Sequence, residues 1–164
     1  SVIQRRQNGS EDFFRNWVDY KYGFGNLSNE FWLFKIQKIR SLLAMQTKWP
    51  FNVYSQEMTL VSFIEDSRYA IYRRFLIGHE KQGFKLLIED YIGTAAKFYT
   101  KDHDSNSCAA QYKGGWWYTN CHEANLNGIY LNGRHSSFAD GIEWKAWHDY
   151  NYSLKFTEMK IKRL

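Results

Sequence analysis

The side chains best suited to chemistry lie close together in the second half of the chain. Two carboxylates, Asp102 and Asp104, open a run that continues with hydroxyl and amide groups. Such oxygen donors are the ligands that calcium takes in proteins, and a solvated acidic turn is the alternative interpretation. The run ends directly at Cys108, and the second cysteine, Cys121, precedes His122. A candidate cation loop therefore adjoins a segment bounded by the two cysteines.

The two cysteines allow several kinds of chemistry. They could form one disulfide, remain free buried thiols, or supply half of a metal site. The chain has no Cys-x-x-Cys motif and no second Cys/His cluster at zinc spacing, which argues against zinc. Cys121 and His122 superficially offer a thiol and a base, but adjacent side chains usually diverge and no paired carboxylates stand near them in the sequence. We therefore predict that the protein is not an enzyme.

The segment between the cysteines must hold a fixed shape. It contains Gly114 and Gly115, followed by Trp116, Trp117 and Tyr118. Paired glycines are costly in backbone entropy, and three exposed rings in a row would be costly in apolar surface. We interpret the two tryptophans as buried support and assign none of the three aromatic residues to a ligand.

The composition is that of one packed, aromatic-rich domain. The chain has 164 residues, of which 19% are aromatic and only one is proline, so it is not a disordered chain. Its formal charge is +5, but the basic residues are dispersed, and we expect no nucleic-acid partner. No run approaches the roughly 20 apolar residues of a membrane span, so we predict no membrane insertion.

Hydrophobic periodicity predicts strands and short helices on both sides of the cysteine segment. Helices are expected after a Ser10 cap and again further on, at residues 11–20 and 36–43. Strands are expected at residues 2–6, 58–63, 69–77, 84–88 and 152–161, the last returning to an antiparallel meander formed by the middle three. The prediction is a single α+β domain over residues 1–164, with a sheet and helix core over about 1–95 and 150–164 and a loop-rich lobe over about 96–149.

Several motifs resemble the fibrinogen-like domain, and the match runs from end to end. In the first half they are Gln4-Arg5-Arg6, Gly23-Phe24-Gly25 and Glu30-Phe31-Trp32-Leu33. In the second half they are Lys101-Asp102-His103-Asp104, Cys108-Ala109, Gly114-Gly115-Trp116-Trp117-Tyr118, Cys121-His122, Asn125-Leu126-Asn127-Gly128, Phe138-Ala139-Asp140-Gly141-Ile142-Glu143-Trp144 and Glu158-Met159-Lys160. The second half is most similar to ficolins and tachylectin-type lectins.

The resemblance implies a fibrinogen C-terminal-like fold, a twisted and mainly antiparallel sheet with short flanking helices and a lobe for ligand and calcium. It also implies a disulfide between Cys108 and Cys121 and a cis peptide between Asn120 and Cys121. Carried over by motif, the pocket for an acetyl group comprises Tyr112, Cys121, His122, Phe138, Ala139 and Tyr150. An aromatic cage suits the methyl group, and the backbone N–H groups of Cys121 and His122 suit the carbonyl oxygen.

The chain departs from the family pattern in two places. That pattern begins upstream with another cysteine pair and a Gly-Gly-Gly-Trp-Thr segment, so we expect an N-terminally truncated domain. The acidic run is also shorter than in relatives, and Asn106 stands where they carry an acid. Calcium takes six to eight oxygens, so a Ca²⁺ site at Asp102 and Asp104 is expected to be weakened or lost.

The function implied by the resemblance is that of a secreted lectin of innate-immune type. It would bind acetylated glycans or microbial surfaces, and multivalently as a homo-oligomer, since single sugar sites are weak. Sequons at Asn8, Asn26 and Asn151 agree with a secreted glycoprotein. The alternative is a protein-interaction or structural subunit that binds other protein subunits and has lost calcium and sugar binding.

Overall fold

The computed structural model describes residues 1–33, 56–61, 67–72, 75–88 and 96–163 as an α+β fold of short helices and mainly antiparallel strands. The helices are α1 (Trp17–Tyr22), α2 (Cys108–Gln111) and a 3₁₀ turn (Glu80–Gln82). The strands are β1 (Val2–Arg6), β2 (Phe24–Gly25), β3 (Phe31–Trp32), β4 (Gln56–Val61), β5 (Tyr69–Tyr72), β6 (Phe75–Ile77), β7 (Leu86–Ile88), β8 (Lys97–Tyr99), β9 (Trp116–Tyr118), β10 (Ala124–Asn125), β11 (Gly133–Arg134), β12 (Glu143–Trp144), β13 (Tyr152–Ser153) and β14 (Thr157–Arg163).

The largest sheet joins the two ends of the chain. Its strands are ordered β2-β3-β1-β14-β4-β5, and each adjacent pair is antiparallel. In β14, Glu158 lies opposite Arg5 of β1, and Met159 lies opposite Leu60 of β4. The prediction that the last strand returns to the middle of the chain is therefore confirmed. The range predicted for it, residues 152–161, is wrong, because Tyr152–Ser153 form β13, which pairs with β11, and β14 begins only at Thr157.

Buried aromatic rings connect α1 and β3 to the lobe that carries the cysteines. The ring centroid of Trp32 lies 5.3 Å from that of Tyr20 and 5.9 Å from that of Phe98, which in turn lies 5.1 Å from the Trp117 ring. Such ring pairs contribute about 0.5–1.5 kcal/mol each beyond the burial of their area. They hold the β8–β9 pair, and with it the start of the predicted pocket, against the body of the fold.

Strand β1 also holds the lobe through polar side chains. Gln4 and Arg6 are fully buried, and both donate to backbone carbonyl groups some 120 residues away. The Gln4 Nε2 atom lies 2.9 Å from the Leu126 carbonyl oxygen, and Arg6 Nη1 lies 2.8 Å from that of Gly128. Buried donors placed in this way satisfy loop carbonyls that would otherwise lack partners.

The helix predicted at residues 11–20 was placed too early, since α1 begins at Trp17. The preceding residues bond in a non-helical pattern, since the Arg15 N–H donates to the Phe13 carbonyl oxygen at 2.9 Å, two residues back instead of four. The Asp12 carboxylate also accepts from the Phe14 N–H at 2.8 Å, and the Glu30 carboxylate accepts from the Glu11 N–H at 2.9 Å. These side-chain bonds hold residues 11–14 in a non-helical path before the helix.

The strand predicted at residues 69–77 is two strands that lie in different sheets. β5 pairs with β4 in the main sheet, whereas β6 pairs with β7. β7 starts at Leu86 rather than at residue 84, because Gly83 and Phe84 have φ values of 67° and 45° that a strand cannot contain. The predicted helix at 36–43 and the end of the predicted strand at 62–63 lie outside the described residues.

Candidate functional site

A disulfide joins Cys108, the first residue of α2, to Cys121, with 5.3 Å between their Cα atoms. The predicted pairing is therefore confirmed. Because these are the only cysteines in the chain, the bond removes both a thiol nucleophile and a cysteine metal site from consideration. It also fixes the distance between the end of the acidic run and the start of the pocket.

The peptide bond between Asn120 and Cys121 is trans, so the predicted cis bond is wrong. No cis bond occurs in the described part of the chain. The chain instead turns at Cys121, whose φ of 51° lies in the left-handed region, and the Thr119 N–H donates to the Cys121 carbonyl oxygen at 3.1 Å. A left-handed residue with a side chain costs roughly 1–2 kcal/mol, which the disulfide and this bond must offset.

Four aromatic side chains from separate parts of the chain meet at the predicted pocket, and we call them the aromatic wall: Tyr112, His122, Phe138 and Tyr150. The His122 ring centroid lies 4.7 Å from the Tyr112 ring and 5.7 Å from the Tyr150 ring, both edge-on. The Phe138 ring lies 5.2 Å from Tyr150. Phe138 is 63% exposed, so the wall presents an apolar ring to solvent.

Backbone hydrogen bonds fix the aromatic wall from behind. The His122 ring contacts the Ala139 carbonyl oxygen through Nε2 at 3.0 Å, and the Ala139 N–H donates to the Tyr150 carbonyl oxygen at 2.9 Å. The Tyr150 hydroxyl donates to the His122 carbonyl oxygen at 2.8 Å. All six predicted pocket residues are thus brought together, although their role in binding stays a prediction.

The His122 imidazole is held in its neutral form. Burial lowers its pKa below the ordinary value, and the hydrogen bond to Ala139 offsets this only in part. With Nε2 donating to that carbonyl oxygen, Nδ1 is the acceptor, and it is buried without a partner in the described part of the chain. The ring therefore offers a shaped, uncharged surface.

The Asn125-Leu126-Asn127-Gly128 motif holds the cysteine segment in place. The Asn125 side-chain amide donates to the Tyr112 carbonyl oxygen at 2.9 Å, and that of Asn127 donates to the Gly115 carbonyl oxygen at 2.8 Å. A Cβ atom on Gly114 would lie 2.6 Å from the Asn127 carbonyl oxygen, which explains the glycine. The sequence marked this motif without indicating that its amides position a pocket residue.

The aromatic residues between the cysteines are mostly support, as interpreted. Trp117 is 6% exposed and its indole N–H donates to the Phe84 carbonyl oxygen at 2.9 Å. Tyr118 is 1% exposed, and its hydroxyl donates to the Gly114 carbonyl oxygen at 2.8 Å. Trp116 is half-buried and packs against the same core.

The two acidic residues of the predicted calcium loop have protein partners. The Asp102 Oδ1 atom accepts from the Trp17 N–H at 2.8 Å and from the Thr100 hydroxyl at 2.7 Å. Burial raises the pKa of Asp102, but these hydrogen bonds outweigh it and the net pKa is lowered. The Asp104 Oδ2 atom accepts from the Ala110 N–H at 2.9 Å, while its Oδ1 is buried and unpartnered within the described ranges.

These side chains alone do not fit a calcium ion. Of the two carboxylates, only that of Asp104 has a buried oxygen without a partner among the described residues, its Oδ1 atom, and no three His, Cys, Asp or Glu side chains there converge as metal ligands. Calcium takes six to eight oxygens. The calcium site therefore stays a prediction, and no step below depends on it.

Comparison with known proteins places the chain in a family. The family model for the C-terminal globular domain of fibrinogen beta and gamma chains matches residues 1–103 and 95–164. The chain belongs to this fibrinogen C-terminal domain family. Fibrinogen-like domains are generally non-enzymatic binding modules, and their homologues are typically extracellular.

Two relatives and one solved structure indicate what this fibrinogen-like domain is similar to. Fibrinogen C domain-containing protein 1 of Xenopus tropicalis is 46% identical over 99% of this chain and 38% of its own length. Techylectin-5A of Tachypleus tridentatus is 44% identical over 99% of this chain and 59% of its own length. The fibrinogen-like globe domain of human ANGPTL2 has a TM-score of 0.84 and 34% identity, covering 99% of this chain and 79% of that one.

The chain thus spans less than two thirds of the length of both relatives. Among the described residues, no helix is long and apolar enough to cross a membrane.

Proposed function

We propose that this fibrinogen-like domain is a lectin module that binds acetylated groups on glycans. The observation that carries the proposal is the aromatic wall, whose four rings come from three separate segments and lie within 4.7–5.7 Å of their neighbours. The similarity to Techylectin-5A supports it, because that relative is named as a lectin.

An acetamido group has two ends that this site could recognise. The methyl group would pack against the Tyr112, Phe138 and Tyr150 rings, which offer apolar surface without a charge. The carbonyl oxygen would accept from the backbone N–H groups of Cys121 and His122, which the disulfide and the left-handed turn hold in a fixed direction. The neutral His122 ring would remain a wall of the site throughout.

The setting of the site would be a secreted glycoprotein that acts as an oligomer. A single shallow sugar site binds weakly, so recognition of a microbial surface would depend on several copies acting together. The Asn26 side chain is exposed, whereas the Asn8 side-chain amide donates to Asn29 Oδ1 at 3.1 Å and that of Asn151 donates to the Ser137 carbonyl oxygen at 2.8 Å. Asn26 is therefore the better acceptor.

Retention on an N-acetylglucosamine resin tests the proposal. We expect the wild type to be retained and eluted by free N-acetylglucosamine, and Tyr112→Ala and His122→Ala to pass through. Tyr22→Ala is the matched control, because this tyrosine is 58% exposed on α1 and outside the aromatic wall. Equal retention of the wild type and both wall variants would overturn the pocket assignment.

The alternative function is that of a protein-interaction or structural subunit, and the same experiment distinguishes it. A folded wild type that binds no acetylated resin but copurifies with a defined protein would support the alternative and contradict the lectin proposal.

A further inference from the structure

A charged pair lies at the edge of the aromatic wall, and the motif comparison did not include it. The Lys145 Nζ atom lies 3.1 Å from Glu123 Oε1, and the Lys145 N–H donates to the Glu123 carbonyl oxygen at 2.9 Å. Glu123 directly follows His122, and Lys145 directly follows β12. Both the backbone and the side chains therefore hold the two residues together beside the pocket.

The lysine also contacts the aromatic wall itself. Its Nζ atom lies 5.4 Å from the centroid of the Tyr150 ring, a distance typical of a cation–π contact. The same tyrosine donates its hydroxyl to the His122 carbonyl oxygen and packs against Phe138. The ammonium group thus contacts a ring, that of Tyr150, which also lines the site proposed for the acetyl group.

The two partners of the pair differ in exposure. The Glu123 side chain is 81% exposed and that of Lys145 is 49% exposed. The Glu123 carboxylate is the main cause of a raised pKa at Lys145, with a smaller contribution from Tyr150, so the lysine is charged at neutral pH. An exposed pair of this kind contributes little to stability, so a ligand's anion could replace Glu123 at low cost.

We infer that Lys145 determines specificity at this site by recognising an anionic group, a carboxylate or a sulfate, on an acetylated sugar. The inference rests on the proposed lectin function. The acetyl group would occupy the aromatic wall, while the anion would take the place of the Glu123 carboxylate on the lysine. Glu123 then competes with the ligand, which makes it a negative determinant of affinity for acidic sugars.

The test compares three sugars that share the acetamido group. N-acetylglucosamine is neutral, its 6-sulfate adds only a sulfate, and N-acetylmuramic acid adds a carboxylate. We expect the wild type to bind at least one acidic sugar on the order of two- to fivefold more tightly than the neutral one at low salt, a range set by the usual strength of exposed ion pairs. The sulfate and carboxylate arms identify which anion is preferred.

Three variants separate the roles of Lys145 and Glu123 from a general effect of removing a surface lysine. Lys145→Met should remove the preference while keeping binding of N-acetylglucosamine, and Glu123→Gln should increase the preference. Lys21→Met is the matched control, because Lys21 makes an equivalent pair with Glu80 at 2.8 Å and lies 5.6 Å from the Tyr22 ring, in α1. This control should bind all three sugars like the wild type.

The outcomes distinguish this inference from the function on which it rests. Binding of N-acetylglucosamine with no preference for either acidic sugar, or a preference that survives Lys145→Met, would overturn the inference and leave the lectin function standing. If the folded wild type binds none of the three sugars, both this inference and the proposed lectin function are wrong.

Discussion

The hydroxyl of Tyr150 donates a 2.8 Å hydrogen bond to the backbone carbonyl oxygen of His122. This bond joins the residue after the second cysteine to a segment 28 positions later, and the Ala139 N–H bonds to the carbonyl oxygen of the same tyrosine. The two sides of the aromatic wall are therefore joined through Tyr150, by its hydroxyl to His122 and by its carbonyl oxygen to Ala139.

Removing only that hydroxyl should loosen the wall. We expect Tyr150→Phe to weaken binding of N-acetylglucosamine about two- to tenfold, since one hydrogen bond contributes on the order of 0.5–1.5 kcal/mol. Titration calorimetry on the wild type, on Tyr150→Phe and on Tyr22→Phe as a control would measure this. An unchanged affinity in Tyr150→Phe would show that the bond does not position the wall.

Gly115 is predicted to be intolerant of any side chain. A Cβ atom there would lie 2.4 Å from the buried Tyr20 ring, whose hydroxyl donates to the Phe13 carbonyl oxygen at 2.6 Å and cannot move freely. We expect Gly115→Ala to lower the free energy of unfolding by about 1–3 kcal/mol in urea titrations.

Gly78→Ala is the matched control for this substitution. The nearest atom to its Cβ would be the end of the flexible Gln82 side chain, so the change should stay within about 0.5 kcal/mol. Similar losses in the two variants would contradict the packing argument.

Glu143 should make stability depend on pH. This carboxyl group is fully buried, and burial raises its pKa to about 7, while the unfolded chain has the ordinary value near 4.5. Between these pH values the folded protein keeps a proton that the unfolded chain releases, so stability decreases as pH rises from 4.5 to 7. Glu143→Gln should remove this dependence.

We expect the Gln variant to match the wild type near pH 4 and to exceed it above pH 7, by up to roughly 3 kcal/mol. The Gly141 N–H, which lies 3.0 Å from Glu143 Oε1, keeps an acceptor in this variant. The His135 Nε2 atom lies 3.3 Å from the same oxygen, and its protonation would favour the carboxylate and oppose the effect. Parallel stability curves for the two proteins would contradict the prediction.

Calcium removal should leave sugar binding intact. The Asp102 Oδ1 atom already accepts two hydrogen bonds, and only one oxygen of Asp104 is buried and without a partner in the described ranges. We expect the wild type to elute from the acetylated resin at the same position with chelator or with added calcium. A calcium-dependent rise in thermal stability or retention would contradict this.

Asp102→Ala should lower stability by weakening the start of α1, and not by removing a calcium ligand. It removes the carboxylate that accepts the Trp17 N–H, which should lower stability by about 1–3 kcal/mol whether or not calcium is present. Circular dichroism melting with and without calcium would measure both effects.

Much of the fold follows from local patterns in the sequence. A strand-like run ended by a turn signal predicted β1, and alternation over residues 152–161 predicted β14, because a half-buried strand repeats every two residues. The start of α1 was placed too early because the carboxylate of Glu30, a residue far along the chain, accepts from the Glu11 N–H and holds this part of the chain outside the helix. No pattern near residue 11 could reveal a partner at residue 30.

The residues of the pocket could be predicted only from their resemblance to family motifs. Tyr112, Phe138 and Tyr150 lie far apart in sequence, and nothing in their spacing shows that they converge. The Lys145–Glu123 pair has no local signal at all, because it depends on β10 lying beside β12, with Ala124 opposite Trp144. The cis peptide expected between Asn120 and Cys121 shows that resemblance can also mislead, because a motif can match while one backbone angle differs.

The pairing of β1 with β14 has a consequence for synthesis of the protein. Gln4 and Arg6 are synthesised long before their partners, because the carbonyl groups they contact lie at residues 126 and 128, and β14 begins only at Thr157. Pairings this distant in sequence fold slowly, because a large loop must close first. The nascent domain therefore cannot complete its main sheet until β14 has been synthesised, and β1 stays without this neighbour until then.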